Sequence, residues 1–247
     1  AKVKPVIMVK GGVAEGGTGA AASHTGALAG ATTVWSSLFC QLGIMQVYDL
    51  EELVDLTLLF QHLKPCRERR MGIVGTSGGR SVLITDSCER EGLTVPTFPS
   101  EVRRRLRKII PEELDPGTSV RNPVDLAKSG LDPDILSKVL ETMANYDGID
   151  FILVHINVAF GLYRGTNEMI KRQIDSLIES KKCIVKPIAA VIRHSGEPEA
   201  VNYAFTVQKR CLEAGIPVFP SFNRATRAIS RFIRYYETRR RQYKEAL

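Results

Sequence analysis

Short apolar runs alternate with longer amphipathic ones along this 247-residue chain. Residues 5–9 (PVIMV), 44–47 (IMQV), 71–76 (MGIVGT), 151–156 (FILVHI), 188–192 (IAAVI) and 217–219 (PVF) are rich in Val and Ile and are bounded by Gly, Pro or charge. Such runs predict strands buried on both faces. Helical spacing recurs between them. Val34, Leu38 and Leu42 share one face of 33–42, and 49–63 (DLEELVDLTLLFQHL) opens on Asp49 as a cap, with acidic residues in its first turn. Residues 81–93 end in a helical stop at Gly92, and Asp132-Pro133 pairs a cap with a first-turn proline. Further helices are predicted over 166–180, over 198–214 and from about Asn223 onward. Strand and helix in alternation predict an α/β chain with a mainly parallel, doubly wound sheet.

A charged, Pro-containing link at 62–70 (HLKPCRERR) divides the pattern. After it come four strand runs and enough helices for a complete domain. Before it come two strands, too few to close a core of their own. Residues 1–65 therefore read as the C-terminal part of one α/β domain, and 66–247 as a second domain. The chain starts almost directly on a strand, as if cut from a larger polypeptide.

Composition changes this picture little. Hydrophobic residues at 44% and charged residues at 25% are ordinary for a soluble globular protein, and no apolar run nears the roughly 20 residues of a membrane span. Cys40, Cys66, Cys88, Cys183 and Cys211 are scattered, without a CxxC pair or metal-ligand spacing. They read as reduced thiols of a cytoplasmic protein, and no metal site is expected. The net charge of +7 gathers at 65–70, 101–110 and 231–244. The last two have one basic helical face, which suits solvent, an acidic partner or a phosphorylated ligand. No aromatic platform accompanies that charge, so nucleic acid is not the expected partner.

The chemistry concentrates in 15–33 (EGGTGAAASHTGALAGATT), a run of small residues around His24. It fits neither a P-loop nor a dinucleotide fingerprint and reads as a flexible loop. An imidazole with open space around one nitrogen can act as a nucleophile and carry a group covalently. Ser23, Thr25 and Gly26 beside it offer hydroxyls and unhindered backbone donors suited to a phosphoryl group. In the second domain, 75–83 (GTSGGRSVL) runs from a strand through Ser77, Gly78 and Gly79 into a helix, an anion site with Arg80 near it. The same residues match G-x-S-x-G, but no suitable Asp-then-His order follows, so a serine hydrolase is rejected. In 119–126 (SVRNPVDL), a polar turn, Asn122 is expected to be extended before Pro123, and Asn122 and Asp125 are ligand-contacting or structural.

These stretches carry a resemblance. KPVIMVKGG, AAASHTGALAG and VYDLEELVDL, then MGIVGTSGG, SVLITDSCEREGL and SVRNPVDL, closely resemble in order and spacing the NDP-forming acyl-CoA synthetases of the succinyl-CoA synthetase superfamily. The resemblance implies flavodoxin-like folds: the end of a phosphohistidine-bearing domain, then the second ligase domain. It puts His24 on the phosphorylated histidine. The implied reaction interconverts acyl-CoA, NDP and phosphate with acid, CoA and NTP through an acyl phosphate and a phosphohistidine. It further implies that CoA, nucleotide and Mg bind on a CoA-binding domain and an ATP-grasp domain or subunit outside this chain, and that no cofactor is held tightly here. Arg80-Ser81 stands where Pro-Gly is usual. The alternative reading is a non-catalytic, ligand-sensing or scaffolding module of a larger acyl-CoA-handling protein. An incomplete first domain would expose apolar surface and favour an oligomer.

Overall fold

A computed structural model describes residues 3–25, 32–66, 68–75, 78–111, 120–126, 132–164 and 167–245. The chain divides into two compact units, Ala1–Gln61 and His62–Leu247.

In the first unit, β1 (Ile7–Val9) and β2 (Met45–Val47) pair in parallel, with Ile7 opposite Met45 and Val9 opposite Val47. Helix α1 (Glu15–Thr25) follows β1, α2 (Thr32–Leu42) leads into β2, and α3 (Leu50–His62) follows it. The glycine-rich segment is thus helical through Thr25, and the loop expected there is corrected. Two effects outweigh its glycines. Ala20 to Ala22 are the best helix formers, and Thr18 anchors the first turn through hydrogen bonds from its Oγ1 to the Gly12 and Ala14 carbonyls (2.9 and 3.0 Å). α3 starts as expected: the Glu52 amide donates to Asp49 Oδ1 (2.6 Å), and the Tyr48 amide donates to Glu52 Oε2 (3.0 Å), in the manner of a capping box.

The second unit is built in the order β3 (Met71–Gly75), α4 (Gly78–Arg90), α5 (Ser100–Ile109), β4 (Val124–Asp125), α6 (Pro133–Ala144), β5 (Phe151–Asn157), α7 (Val158–Arg164), α8 (Asn167–Cys183), β6 (Ile188–Arg193), α9 (Pro198–Glu213), β7 (Val218–Phe219) and α10 (Phe222–Glu245). All five strands are parallel, in the order β4-β3-β5-β6-β7. This is the flavodoxin-like winding, whose order reverses between β3 and β5. α4 packs with α10, while α5, α6, α8 and α9 form a second helical layer. Ile152, Val154 and Ile156 of β5 share a core with Leu136, Val139 and Leu140 of α6 and with Ile170, Ile174 and Leu177 of α8. Burial on both faces explains why these strands are continuous apolar runs. No helix among the described residues is long and apolar enough to cross a membrane.

Helix ends follow their sequence signals. Asp132 Oδ1 accepts from the amides of Asp134 and Ile135, ahead of Pro133. After α4, Gly92 takes φ +70°, and the Leu93 and Gly92 amides donate to the carbonyls of Cys88 and Glu89 (both 2.9 Å), a Schellman stop that suits glycine. One strand differs from expectation. Of the stretch taken as a polar turn, Val124 and Asp125 pair with Val74 and Gly75 as edge strand β4. Two residues are too few to show any strand period.

Arg69 ties the entry of β3 to α10 through a two-bond ion pair with Glu237 (2.9 and 2.6 Å) and a bond to Ser230 Oγ (3.3 Å). The guanidinium holds the Glu237 carboxyl below its ordinary value of 4.5, with burial opposing. A carboxyl whose value falls on folding stabilises the fold above its unfolded value and loses that contribution as pH drops through the folded one. Glu237→Gln is therefore expected to cost about 1 kcal/mol at pH 7, a partly exposed but bidentate pair. The difference should shrink in urea melts as pH is taken below 4.5. A gap of constant size would contradict the assignment.

Candidate functional site

Ser23, His24 and Thr25 form the last turn of α1. Ser23 Oγ donates to the Ala20 carbonyl (2.9 Å), so its proton is already engaged within the helix. A helix end presents carbonyl oxygens, which repel an anion. Donors for a phosphate beside His24 would therefore have to come from elsewhere. Gly26 and Ser77 lie outside the described residues. Gly78 and Gly79 open α4, after β3, so the amides that begin this helix stand at the C-terminal edge of the sheet. An anion is favoured there by both the amides and the helix dipole.

Asn122 is structural. Its side chain is buried, with Oδ1 accepting from the Ile73 amide and Nδ2 donating to the Met71 and Pro96 carbonyls (all 2.9 Å). The backbone is not extended as expected. Asn122 has φ +90° and a cis bond to Pro123, while its side chain is held by a β3 amide, a β3 carbonyl and the loop carbonyl of Pro96. Asp125 sits in register with Gly75, and the Leu126 amide donates to the Gly75 carbonyl (2.7 Å). Together these bonds hold the ends of β3 and β4 side by side, just before the start of α4.

The same edge gathers Arg80 with two residues that carry no motif, His155 and Arg193. His155, on β5, is 4% exposed, and Arg80 Nη1 donates to its Nε2 at 3.3 Å. Arginine cannot accept, so Nε2 is the unprotonated nitrogen. Burial, then the charges of Arg80 and Arg193, push the imidazole down to about 3. It is neutral at any ordinary pH. Burial and Arg193 also lower Arg80 from its usual value. Gly75 makes room for this ring, since a Cβ there would stand 2.9 Å from His155 Cβ. Phe222 closes the other side, edge-on at 5.0 Å between centroids. Only Arg80 carried a signal in the sequence, as a cation beside the glycine turn and as a departure from the pattern of the resembled family. His155 reads as one more strand residue, and Arg193 as a charge ending a strand.

A separate groove, about 780 Å³, runs along α6 and α8 and contains none of the candidate site residues. Among the described residues, no group of His, Cys, Asp and Glu is gathered to hold a metal.

Comparison with known proteins agrees with this architecture. Residues 1–60 match the succinyl-CoA ligase like flavodoxin domain. The chain is 29% identical over 93% of its length to the acetate–CoA ligase [ADP-forming] I subunit alpha of Pyrococcus furiosus, covering 46% of that protein. It is 30% identical over 95% of its length to acetate–CoA ligase [ADP-forming] I of Archaeoglobus fulgidus, covering 31% of it. Its structure superposes with a TM-score of 0.75 and 25% identity on the dinucleotide forming acetyl-coenzyme A synthetase 1 of Ca. Korarchaeum cryptofilum, solved with phosphate and ADP. That match covers 99% of this chain and 49% of the other. The chain thus spans less than half the length of these relatives.

Proposed function

We propose that the chain belongs to the ADP-forming acyl-CoA synthetase family and forms part of an enzyme interconverting acyl-CoA, NDP and phosphate with acid, CoA and NTP, with His24 as the phosphoryl carrier. The observation that carries this reading is the extent of the likeness. It runs through both units rather than through one motif. In the proposed sequence, phosphate displaces CoA from the acyl group to give an acyl phosphate. The imidazole then attacks phosphorus and the carboxylate leaves. An NDP oxygen finally takes the phosphoryl group and frees the histidine. Splitting the transfer through a covalent carrier lets two sites share one phosphoryl group.

Residues 1–65 would be the end of the phosphohistidine domain and 66–247 the second ligase domain. The amides at Gly78 and Gly79 would hold the phosphate, with Ser77 beside them, while Ser23, Thr25 and Gly26 flank the carrier. CoA, nucleotide and Mg would bind on a CoA-binding domain and an ATP-grasp domain or subunit outside this chain. The apolar surface of the first unit supports such partners: Val34, Leu42 and Val54 are 65%, 49% and 52% exposed.

The test is labelling of the complete enzyme with radioactive phosphate and acyl-CoA, or with labelled NTP. The expected product is an acid-labile, base-stable label in the peptide containing His24. A label elsewhere, or none, would favour the ligand-sensing alternative.

A further inference from the structure

Three side chains at the sheet edge have no part in the carrier chemistry: Arg80 in the first turn of α4, His155 near the end of β5, and Arg193 at the end of β6. β5 and β6 are adjacent, with His155 opposite Val191 and Arg193 opposite Asn157. β3, which leads into Arg80, flanks β5 on its other side. The cluster therefore sits beside the reversal of strand order, where open parallel sheets receive ligands. Among the described residues no carboxylate is paired with Arg80 or Arg193. The partner of Arg80 is a neutral imidazole, and the charge it meets is another arginine. Arg193 acts on Arg80 as a like charge, and Arg80 is partly desolvated, a combination that an anion relieves.

The identity of the group behind Arg80 matters. A carboxylate there would cancel the guanidinium's charge and compete with a ligand. A neutral imidazole accepts one hydrogen bond, fixes the fork and leaves the charge and the remaining N–H donors for an incoming anion. We propose that Arg80 and Arg193 bind a phosphate-class oxyanion at this edge, and that His155 is the positioning residue that holds Arg80 to receive it. This deepens the anion-site reading of the α4 start and rests on it, but not on the role of His24.

The test is calorimetric titration of the 247-residue chain with inorganic phosphate, against chloride at equal ionic strength. Arg80→Gln and Arg193→Gln are each expected to weaken phosphate about tenfold, the loss of one charge-assisted contact. His155→Gln, which retains an acceptor, should stay within about twofold of the parent. His155→Leu should lose about tenfold while melting as a folded protein. If the leucine variant does not fold, the two exposed-side arginine variants and the glutamine rescue decide the matter. Equal phosphate affinity in the parent and both arginine variants, or heat matched by chloride, overturns the proposal. Histidine labelling is read in a separate assay. Failed labelling with arginine-dependent phosphate binding overturns the carrier reading alone, and intact labelling without that dependence overturns the cluster alone.

Discussion

Replacing His24 with alanine in the complete enzyme is expected to lower turnover by at least about 10⁴-fold, the scale of losing a nucleophile that no neighbour can replace. The reason lies in the proposed pathway. Without the imidazole, the acyl phosphate has no route to the nucleotide, because the phosphoryl group must be handed between two binding sites. Folding should be untouched. Position 24 lies in the last turn of a largely exposed helix, and alanine is the strongest helix former, so the melting temperature should match the parent or slightly exceed it. The two readouts together are diagnostic. Steady-state rates of acyl-phosphate formation and of NTP formation should separate, the first surviving and the second lost. A variant that still makes NTP at the parental rate would end the carrier assignment.

The largest stability loss is expected from Asn122→Ala. That side chain makes three hydrogen bonds, two of them buried, and its removal leaves the Ile73 amide and the Met71 and Pro96 carbonyls without this partner. At about 1 kcal/mol for each bond, the sum is about 3 kcal/mol. A further ~1 kcal/mol comes from placing alanine at φ +90°, where Asn is tolerated because its short polar side chain bonds locally. Asn122→Gly isolates the second term. It should be destabilised by the lost bonds without the added backbone strain. Equilibrium urea unfolding measures both, and an alanine variant within 0.5 kcal/mol of the parent would show that these bonds contribute nothing net. The effect should also reach the site, because Asn122 sets the end of β4 against the end of β3, from which α4 departs.

Much of the second unit was legible because its signals are local. Asp132-Pro133 announces α6, Gly92 announces the stop of α4, and the apolar runs that form β3, β5 and β6 are strands because both faces are covered. β4 was not legible, since two residues carry no period. α1 was misread because glycine counts heavily against a helix in isolation. What holds it is the Thr18 bond to Gly12, a contact that composition does not encode. His155 and Arg80 are separated by 75 positions, and Asn122 and Ile73 by 49. Their pairing depends on which strands are neighbours, and the hydrophobic pattern is silent on strand order. His24 was singled out by its surroundings of small residues, and its chemical role came from the family resemblance rather than from any contact.

The composition of α1 sets how tightly that histidine is mounted. Gly16, Gly17 and Gly19 each cost about 1 kcal/mol relative to alanine, and nearly every residue from Glu15 to Ser23 is exposed or half-buried, so packing returns little of it. The helix–coil balance of this segment is therefore close to even. Its amide protons should exchange with solvent through local opening, far faster than those of β5, whose protection reports global unfolding. The proposed carrier sits on a stretch that can unwind and rewind many times within the lifetime of one folded molecule, so the work of relocating it is measured against a few backbone bonds and not against the stability of the sheet.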